Sequence, residues 1–137
     1  FDAPVALAEF RRILRDGGWA VLFWNSRRLD STPFLRGYEE LLLRFGTDYA
    51  AVTERHASAG PIGELFAPSP VLERTYPNEQ RLDYAGLEAR LLSSSYVPIA
   101  GQLLHAPMLV ALRDLFDAHA VDGHVVIEYD MRVFAGR

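Results

Sequence analysis

Four histidines are the first residues that could do chemistry, because imidazole is both a metal ligand and a proton carrier. They stand at His56, His105, His119 and His124, and the sequence contains no cysteine. None of them has the i, i+4 spacing that places two ligands on one helix face. His119 falls on an apolar helical stripe, which favours a packed core histidine. The pattern therefore predicts no metal site.

Glu128 and Asp130 are the second candidate group, since two carboxylates on one strand face can act as an acid–base pair. Arg132 shares that face, and Arg74 is expected on a neighbouring strand. Cross-strand ion pairs explain these residues with fewer assumptions than catalysis does. We therefore interpret them as structural.

Ser93, Ser95 and Tyr96 belong to a hydroxyl-rich loop. Such hydroxyls can line a ligand pocket, and they can equally cap a helix and turn the chain. The residues alone leave both alternatives open. The pair Gly17-Gly18 follows a helix and precedes a strand, which is the reverse of the order that binds phosphate. No GxGxxG or GxSxG motif occurs in the sequence.

The elements that must position these groups follow from the hydrophobic periodicity. The run Trp19–Asn25 is apolar on both faces, which is typical of a strand inside a parallel sheet. Val71–Tyr76 is followed by a proline and predicts an edge strand. His124–Ala135 alternates apolar and polar residues and predicts a third strand. Helical stripes lie before and between these strands, so the sequence predicts an α/β fold with at least three strands.

Composition excludes several classes of protein. With 137 residues the chain is about the size of one domain. Its net charge is −4 and its basic residues are scattered, which argues against nucleic acid or an anionic membrane as a partner. The absence of cysteine excludes disulfides and favours a cytoplasmic protein. The longest apolar run is far too short to span a bilayer.

The segment ALAEFRRILRDGGWAVLFWNSR resembles a signature of class I S-adenosylmethionine-dependent methyltransferases. In that family, the helix after the fourth strand ends in a proline-glycine-glycine turn that leads into the fifth strand; Asp16 stands here where proline is usual. PNEQRLDYAGLEARLLSSSYVP resembles the sixth strand, its helix and the substrate-side loop of small-molecule, methyltransferase type 11-like members. DLFDAHAVDGHVVIEYDMRVFAGR resembles the final helix and the seventh strand.

The resemblance covers essentially the whole chain and implies the C-terminal half of a Rossmann-like methyltransferase fold. It implies a three-strand mixed sheet in the order 5-7-6, with the last strand antiparallel and helices flanking it. Transferred to this sequence, the order is Trp19–Asn25, His124–Ala135, Val71–Tyr76. Residues 1–137 then form a single domain, in which residues 26–70 are a helical and loop insertion on the substrate side.

The function that the resemblance implies is that of a methyltransferase fragment acting on a small molecule. It keeps part of the acceptor side, while the glycine-rich loop and the acidic residue of the donor site do not occur in the sequence. S-adenosylmethionine is the cofactor of the full-length family, and we expect this chain alone to bind none and to be inactive. Candidate acceptor residues are Asn25 and Arg28, at the carboxyl end of the parallel strand, with Ser93, Ser95 and Tyr96 as pocket partners. No catalytic residue can be named.

The unpaired edge of strand 19–25 leads to an expectation about the oligomeric state. Without the family's fourth strand, this apolar edge has no neighbour, and an exposed edge strand seeks a partner. We expect a homodimer joined through this edge, or a swapped assembly. The alternative function is a stand-alone dimeric binding or interaction module without catalysis, with its pocket between the helices Phe34–Phe45 and Tyr84–Leu92.

Overall fold

The computed structural model of the protein describes residues 3–51, 66–67 and 69–137. In this part of the chain the elements follow one another as α1 (Ala3–Ile13), β1 (Ala20–Arg27), α2 (Pro33–Phe45), β2 (Leu72–Leu82), α3 (Tyr84–Leu92), α4 (His105–His119) and β3 (Val125–Gly136). The predicted α/β arrangement is confirmed. Of the insertion expected over residues 26–70, residues 52–65 lie outside the described part.

Side-chain caps fix the starts of the two helices that matter most for the site. The Thr32 hydroxyl accepts a hydrogen bond of 3.1 Å from the backbone N–H of Leu35, and Pro33 occupies the first turn of α2. The Asp83 carboxylate accepts a hydrogen bond of 2.8 Å from the N–H of Gly86 at the start of α3. Among the described residues, no helix has both the length and the apolar character needed to cross a bilayer.

The described sheet has the strand order β1-β3-β2, which is the order that the resemblance implies. Both pairings are antiparallel, so the sheet differs from the mixed sheet that the resemblance implies. The reason is that β1 and β2, which run in the same direction, are separated by β3 and never pair with each other. β1 lies at one edge of this sheet and β2 at the other.

β2 is longer than the predicted strand Val71–Tyr76, because it continues through Pro77 to Leu82. Pro77 lies opposite Asp130 of β3. A proline has no backbone N–H, and an edge strand tolerates that loss because one side of the strand needs no partner. The edge position that Pro77 predicted is therefore confirmed, while the predicted end of the strand is wrong.

The hydrophobic core lies between one face of β3 and the helices α2, α3 and α4. The alternation of β3 buries Val125, Ile127 and Tyr129 on this face, as its sequence pattern predicts. Each helix contributes fully buried side chains, namely Leu35 and Leu42, Leu87 and Leu91, and Met108 and Leu112.

The helices cover only part of that sheet face. Val21 and Phe23 lie on the same face as Tyr129, yet their side chains are 54% and 69% exposed. Leu72 and Tyr76 of β2 continue the same exposed area. We call these four residues the apolar half-face. β1 therefore does not have the cover on both faces that its apolar sequence predicts.

The opposite face of the sheet is held by aromatic and charged side chains. The rings of Trp24 and Phe134 stack with centroids 4.9 Å apart, and the Arg132 guanidinium lies over both. Phe66 packs on Gly136 so closely that a Cβ at Gly136 would overlap its ring. This face contributes stability to the sheet away from the helical core.

Candidate functional site

Arg27, the last residue of β1, is the centre of a largely buried polar group. Its side chain is 12% exposed and forms an ion pair with Glu39 of α2. The same guanidinium nitrogen, Nη2, donates a hydrogen bond of 2.8 Å to the Tyr49 hydroxyl. That hydroxyl donates to Glu39 Oε2 at 2.6 Å, so the three side chains form a closed triangle.

Local sequence explains how these residues meet. Glu39 follows Tyr38 on α2, and Tyr49 follows the end of that helix at Gly46. A Cβ at Gly46 would lie 2.7 Å from the Cβ of Tyr49 and 2.6 Å from the Leu42 carbonyl oxygen. Only glycine allows so close an approach. Gly46 thus lets the chain fold Tyr49 back against α2 and towards Arg27.

Tyr38 forms the inner wall of the group. Its side chain is only 4% exposed, and the Arg27 guanidinium lies 5.1 Å from its ring centroid. Burial raises the pKa of Tyr38 to about 12, although the positive charges of Arg27 and Arg90 oppose the shift. The phenol therefore stays protonated at neutral pH and remains able to donate a hydrogen bond.

Arg90 of α3 is a second arginine near Tyr38. A hydrogen bond with Tyr129 is the main cause that raises the pKa of Arg90. The Tyr129 hydroxyl in turn donates to Gln80 Oε1 at 2.8 Å. Tyr96 closes the group, because its ring lies against that of Tyr49 with centroids 5.0 Å apart.

We call this group the arginine–tyrosine cluster. It consists of Arg27, Arg90, Glu39, Tyr38, Tyr49, Tyr96 and Tyr129. α2 and α3 both contribute to it, so it lies in the region between Phe34–Phe45 and Tyr84–Leu92 where a pocket is expected from the sequence.

The charges of the cluster do not balance. It holds two guanidinium groups and one carboxylate, which leaves one positive charge in excess. Arg90 forms no ion pair with a carboxylate in the part of the chain that the structure describes. Arg27 Nη1 is buried and has no hydrogen-bond partner among the described residues. A buried donor without a partner is rare, because it loses its bonds to water without replacement.

The five residues expected at an acceptor site are only partly brought together. Tyr96 lies in the cluster. The Ser93 hydroxyl donates a hydrogen bond of 2.8 Å to the backbone oxygen of Arg90. Ser95 is exposed. Asn25 is exposed and lies on the sheet face that carries Arg27 and Tyr129, where it accepts a hydrogen bond of 3.1 Å from the Asn78 amide.

Arg28 lies outside the cluster. Its guanidinium donates to Asp130 at 2.7 and 3.0 Å, and this hydrogen bond is the main cause that raises the pKa of Arg28. Ser31 donates to Glu128 at 2.6 Å. Glu128 and Asp130 therefore do make polar contacts across the sheet, but their partners lie in the segment after β1 and are not Arg74 or Arg132. Arg132 instead pairs with Glu73 at 2.8 Å.

Sequence reasoning missed Arg27, Glu39 and Arg90. It assigned Tyr38 to a buried helical stripe without a polar role. The available signal was the number of tyrosines, because four of the six in the sequence meet in the cluster. Tyrosines that are buried usually bring a hydrogen-bond partner with them.

The histidines of the described part do not form a site. His105 Nδ1 lies 2.8 Å from the Pro98 carbonyl oxygen, and His124 Nδ1 lies 2.7 Å from that of Asp122. The His119 ring contacts the edge of the Phe34 ring, with centroids 6.4 Å apart. His56 lies outside the described residues. Within the described residues, no three histidine, aspartate or glutamate side chains are grouped to hold a metal ion.

The Gly17-Gly18 pair does not have the geometry of a glycine loop that binds a cofactor. Gly17 and Gly18 lie at the amino end of β1, whereas open α/β sheets bind ligands at the carboxyl ends of their strands. The Gly18 N–H is already used in a hydrogen bond of 2.7 Å to the Arg15 oxygen. Gly17 has φ of +72°, as the third residue of the turn that this hydrogen bond closes between α1 and β1.

No protein-family model matches the chain, and no curated protein is significantly similar to it.

Proposed function

We propose that residues 1–137 are the acceptor-binding part of a class I S-adenosylmethionine-dependent methyltransferase that acts on a small molecule. The observation that carries the proposal is the strand order β1-β3-β2, with β3 antiparallel to both neighbours. It agrees with the order of the fifth, seventh and sixth strands that the resemblance implies. Three strands can be ordered in several ways, so the agreement supports the proposal.

The location of the arginine–tyrosine cluster is the second support. Arg27 is the carboxyl-terminal residue of β1, and ligands of open α/β sheets bind beyond the carboxyl ends of the strands. Tyr96 belongs to the loop that resembles the substrate-side loop of the family. An acceptor bound there would contact α2, α3 and that loop together.

The proposal assigns the methyl donor to residues outside 1–137. Methyl transfer depends mainly on positioning and on the exclusion of water, so donor and acceptor must share one closed site. Residues 1–137 alone are therefore proposed to bind an acceptor without turnover. We name no catalytic base.

Calorimetry with S-adenosylmethionine tests this assignment. We expect no micromolar binding by residues 1–137. The natural reading frame that contains these residues is the matched sample, and we expect it to bind the donor and to transfer a labelled methyl group. Micromolar binding by residues 1–137, or no binding by the natural reading frame, would contradict the proposal.

A stand-alone dimeric binding module is the second candidate function. The exposed apolar half-face and the unpaired edge of β1 favour it, because such surfaces promote association. A reading frame that holds no donor-binding segment, together with a stable dimer of this chain, would support this candidate against the methyltransferase.

A further inference from the structure

The arginine–tyrosine cluster contains binding capacity that the fold itself does not use. Arg27 Nη1 has no partner among the described residues, although the neighbouring Nη2 binds both Glu39 and Tyr49. Leaving a buried charged donor unpaired costs more stability than removing it would. A ligand atom that accepts this hydrogen bond accounts for its presence.

The charge of the cluster indicates the charge of that ligand. Two guanidinium groups and the single carboxylate of Glu39 leave one positive charge in excess. A carboxylate ligand carries one negative charge and balances it. A phosphate monoester carries about −1.5 to −2 at neutral pH and would leave an excess of negative charge. Guanidinium groups also match the planar geometry of a carboxylate.

The remaining walls of the cluster indicate the body of the ligand. Tyr38 and Tyr49 are buried, at 4% and 7% exposed, whereas Tyr96, which packs against Tyr49, is half-buried. Tyr96 therefore offers the aromatic surface of the cluster, and aromatic rings pair favourably in offset or tilted arrangements. The protonated Tyr38 hydroxyl adds a neutral donor beside the two cations.

We propose that the arginine–tyrosine cluster binds a small aromatic carboxylate, whose carboxylate group lies between Arg27 and Arg90 and whose ring packs on Tyr96. The ligand enters the cluster past Arg90, because Arg90 is exposed while Arg27 and Tyr38 are largely buried. Under the proposed function, this ligand is the methyl acceptor. The carboxylate site itself does not depend on that function.

Binding of benzoate to the full chain, followed by the NMR signals of the tyrosine rings, tests the inference. Benzamide is the matched probe, since it has the same shape and no charge. We expect saturable binding of benzoate and at least roughly tenfold weaker binding of benzamide, the loss typical of one charge-assisted hydrogen bond. Equal affinity for the two probes, or no binding of benzoate, would overturn the proposal.

Three variants test the assignment of residues. Arg90→Gln should weaken benzoate binding roughly tenfold, and Arg90→Lys, which keeps the charge, should weaken it less. Arg113→Gln is the control, because Arg113 also lies over a tyrosine ring, that of Tyr84 at 3.2 Å, outside the cluster. Unchanged binding in Arg90→Gln, or an equal loss in Arg113→Gln, would contradict the assignment. Circular dichroism verifies that each variant is folded.

The outcome is separable from that of the proposed function. Benzoate binding needs no methyl donor, so its failure leaves the donor experiment to decide on the methyltransferase. Conversely, benzoate binding by a protein whose natural reading frame binds no S-adenosylmethionine would overturn the methyltransferase and leave the carboxylate site standing.

Discussion

Arg27 combines a structural contact and a binding contact in one side chain. Through Nη2 it ties the end of β1 to α2 and to Tyr49, and through Nη1 it offers a donor that no described residue takes. An arginine suits this double use, because its five N–H donors have a fixed planar arrangement. A lysine has one nitrogen and could not serve both directions at once.

Tyr38 gives a pH-dependent prediction. Its pKa is about 12 in the folded protein and 10.0 in the unfolded chain, so the folded state favours the neutral phenol. The stability that the folded protein gains from a neutral Tyr38 is fully present below pH 10, and it is lost as the pH rises from about 10 to 12. Over that window we expect the free energy of unfolding to fall by about 2–3 kcal/mol through this residue.

Urea unfolding of the wild type and of Tyr38→Phe between pH 9 and pH 12 measures the effect. Tyr84 also has a raised pKa, mainly through burial, and it contributes in both proteins. The difference between the two curves therefore isolates Tyr38. Parallel curves over the whole range would show that the Tyr38 phenol is not held neutral by the fold.

Helices α2 and α4 approach each other at a glycine. A Cβ on Gly37 of α2 would lie 2.5 Å from Leu115 Cδ1 of α4. Only the end of the flexible Leu115 side chain lies that close, since its Cγ is 3.7 Å away. A Cβ at position 37 would require Leu115 to shift, and that shift offsets part of the roughly 1 kcal/mol that alanine gains over glycine inside a helix.

The variant Gly37→Ala should change the free energy of unfolding by less than about 1 kcal/mol, because the shift of Leu115 offsets part of the gain in helix propensity. In a Leu115→Ala background, the same substitution should stabilise the protein by about 1 kcal/mol, since no side chain has to shift. Thermal or urea unfolding of the four proteins gives both values. An equal or larger stabilisation in the wild-type background would contradict this account of the packing.

Elements whose signals are local could be predicted from the sequence. The caps at Thr32 and Asp83 and the alternation of β3 are each contained in a few consecutive residues. The end of β2 was missed because Pro77 indicates an edge but does not say how far the ladder extends beyond it. The strand order followed from the family resemblance and not from the periodicity.

The cluster could not be predicted in the same way, because it depends on contacts between distant residues. Arg27 and Arg28 are neighbours of the same type, and only the strand register sends Arg27 to the helices and Arg28 to Asp130. A shift of one residue would exchange their faces. Single-sequence patterns do not fix the register of β1 on β3.

The described helices of the molecule cover only one half of one sheet face. Helices pack on the half of the sheet near Val125 and Tyr129, and the apolar half-face of Val21, Phe23, Leu72 and Tyr76 stays exposed. This area adjoins the unpaired edge of β1. Exposed apolar surface next to a free strand edge favours association of two copies.

We predict that the chain is a dimer in sedimentation velocity measurements, and that Phe23→Glu shifts it to a monomer. A charge buried in an interface without a partner is strongly unfavourable. Leu103→Glu is the matched control, because Leu103 is 90% exposed on a loop outside the sheet, and we expect it to leave the dimer intact. A monomeric wild type, or dissociation by Leu103→Glu as well, would contradict the prediction.

The central position of β3 also has a consequence for synthesis on the ribosome. β1 and β2 pair only with β3 in the described sheet, and β3 is translated after both of them. For the few seconds that translation of the intervening residues takes, neither strand has its partner. The nascent chain therefore carries an unpaired apolar strand while its helices can already form. That exposure of β1 and β2 ends only when β3 has been synthesised.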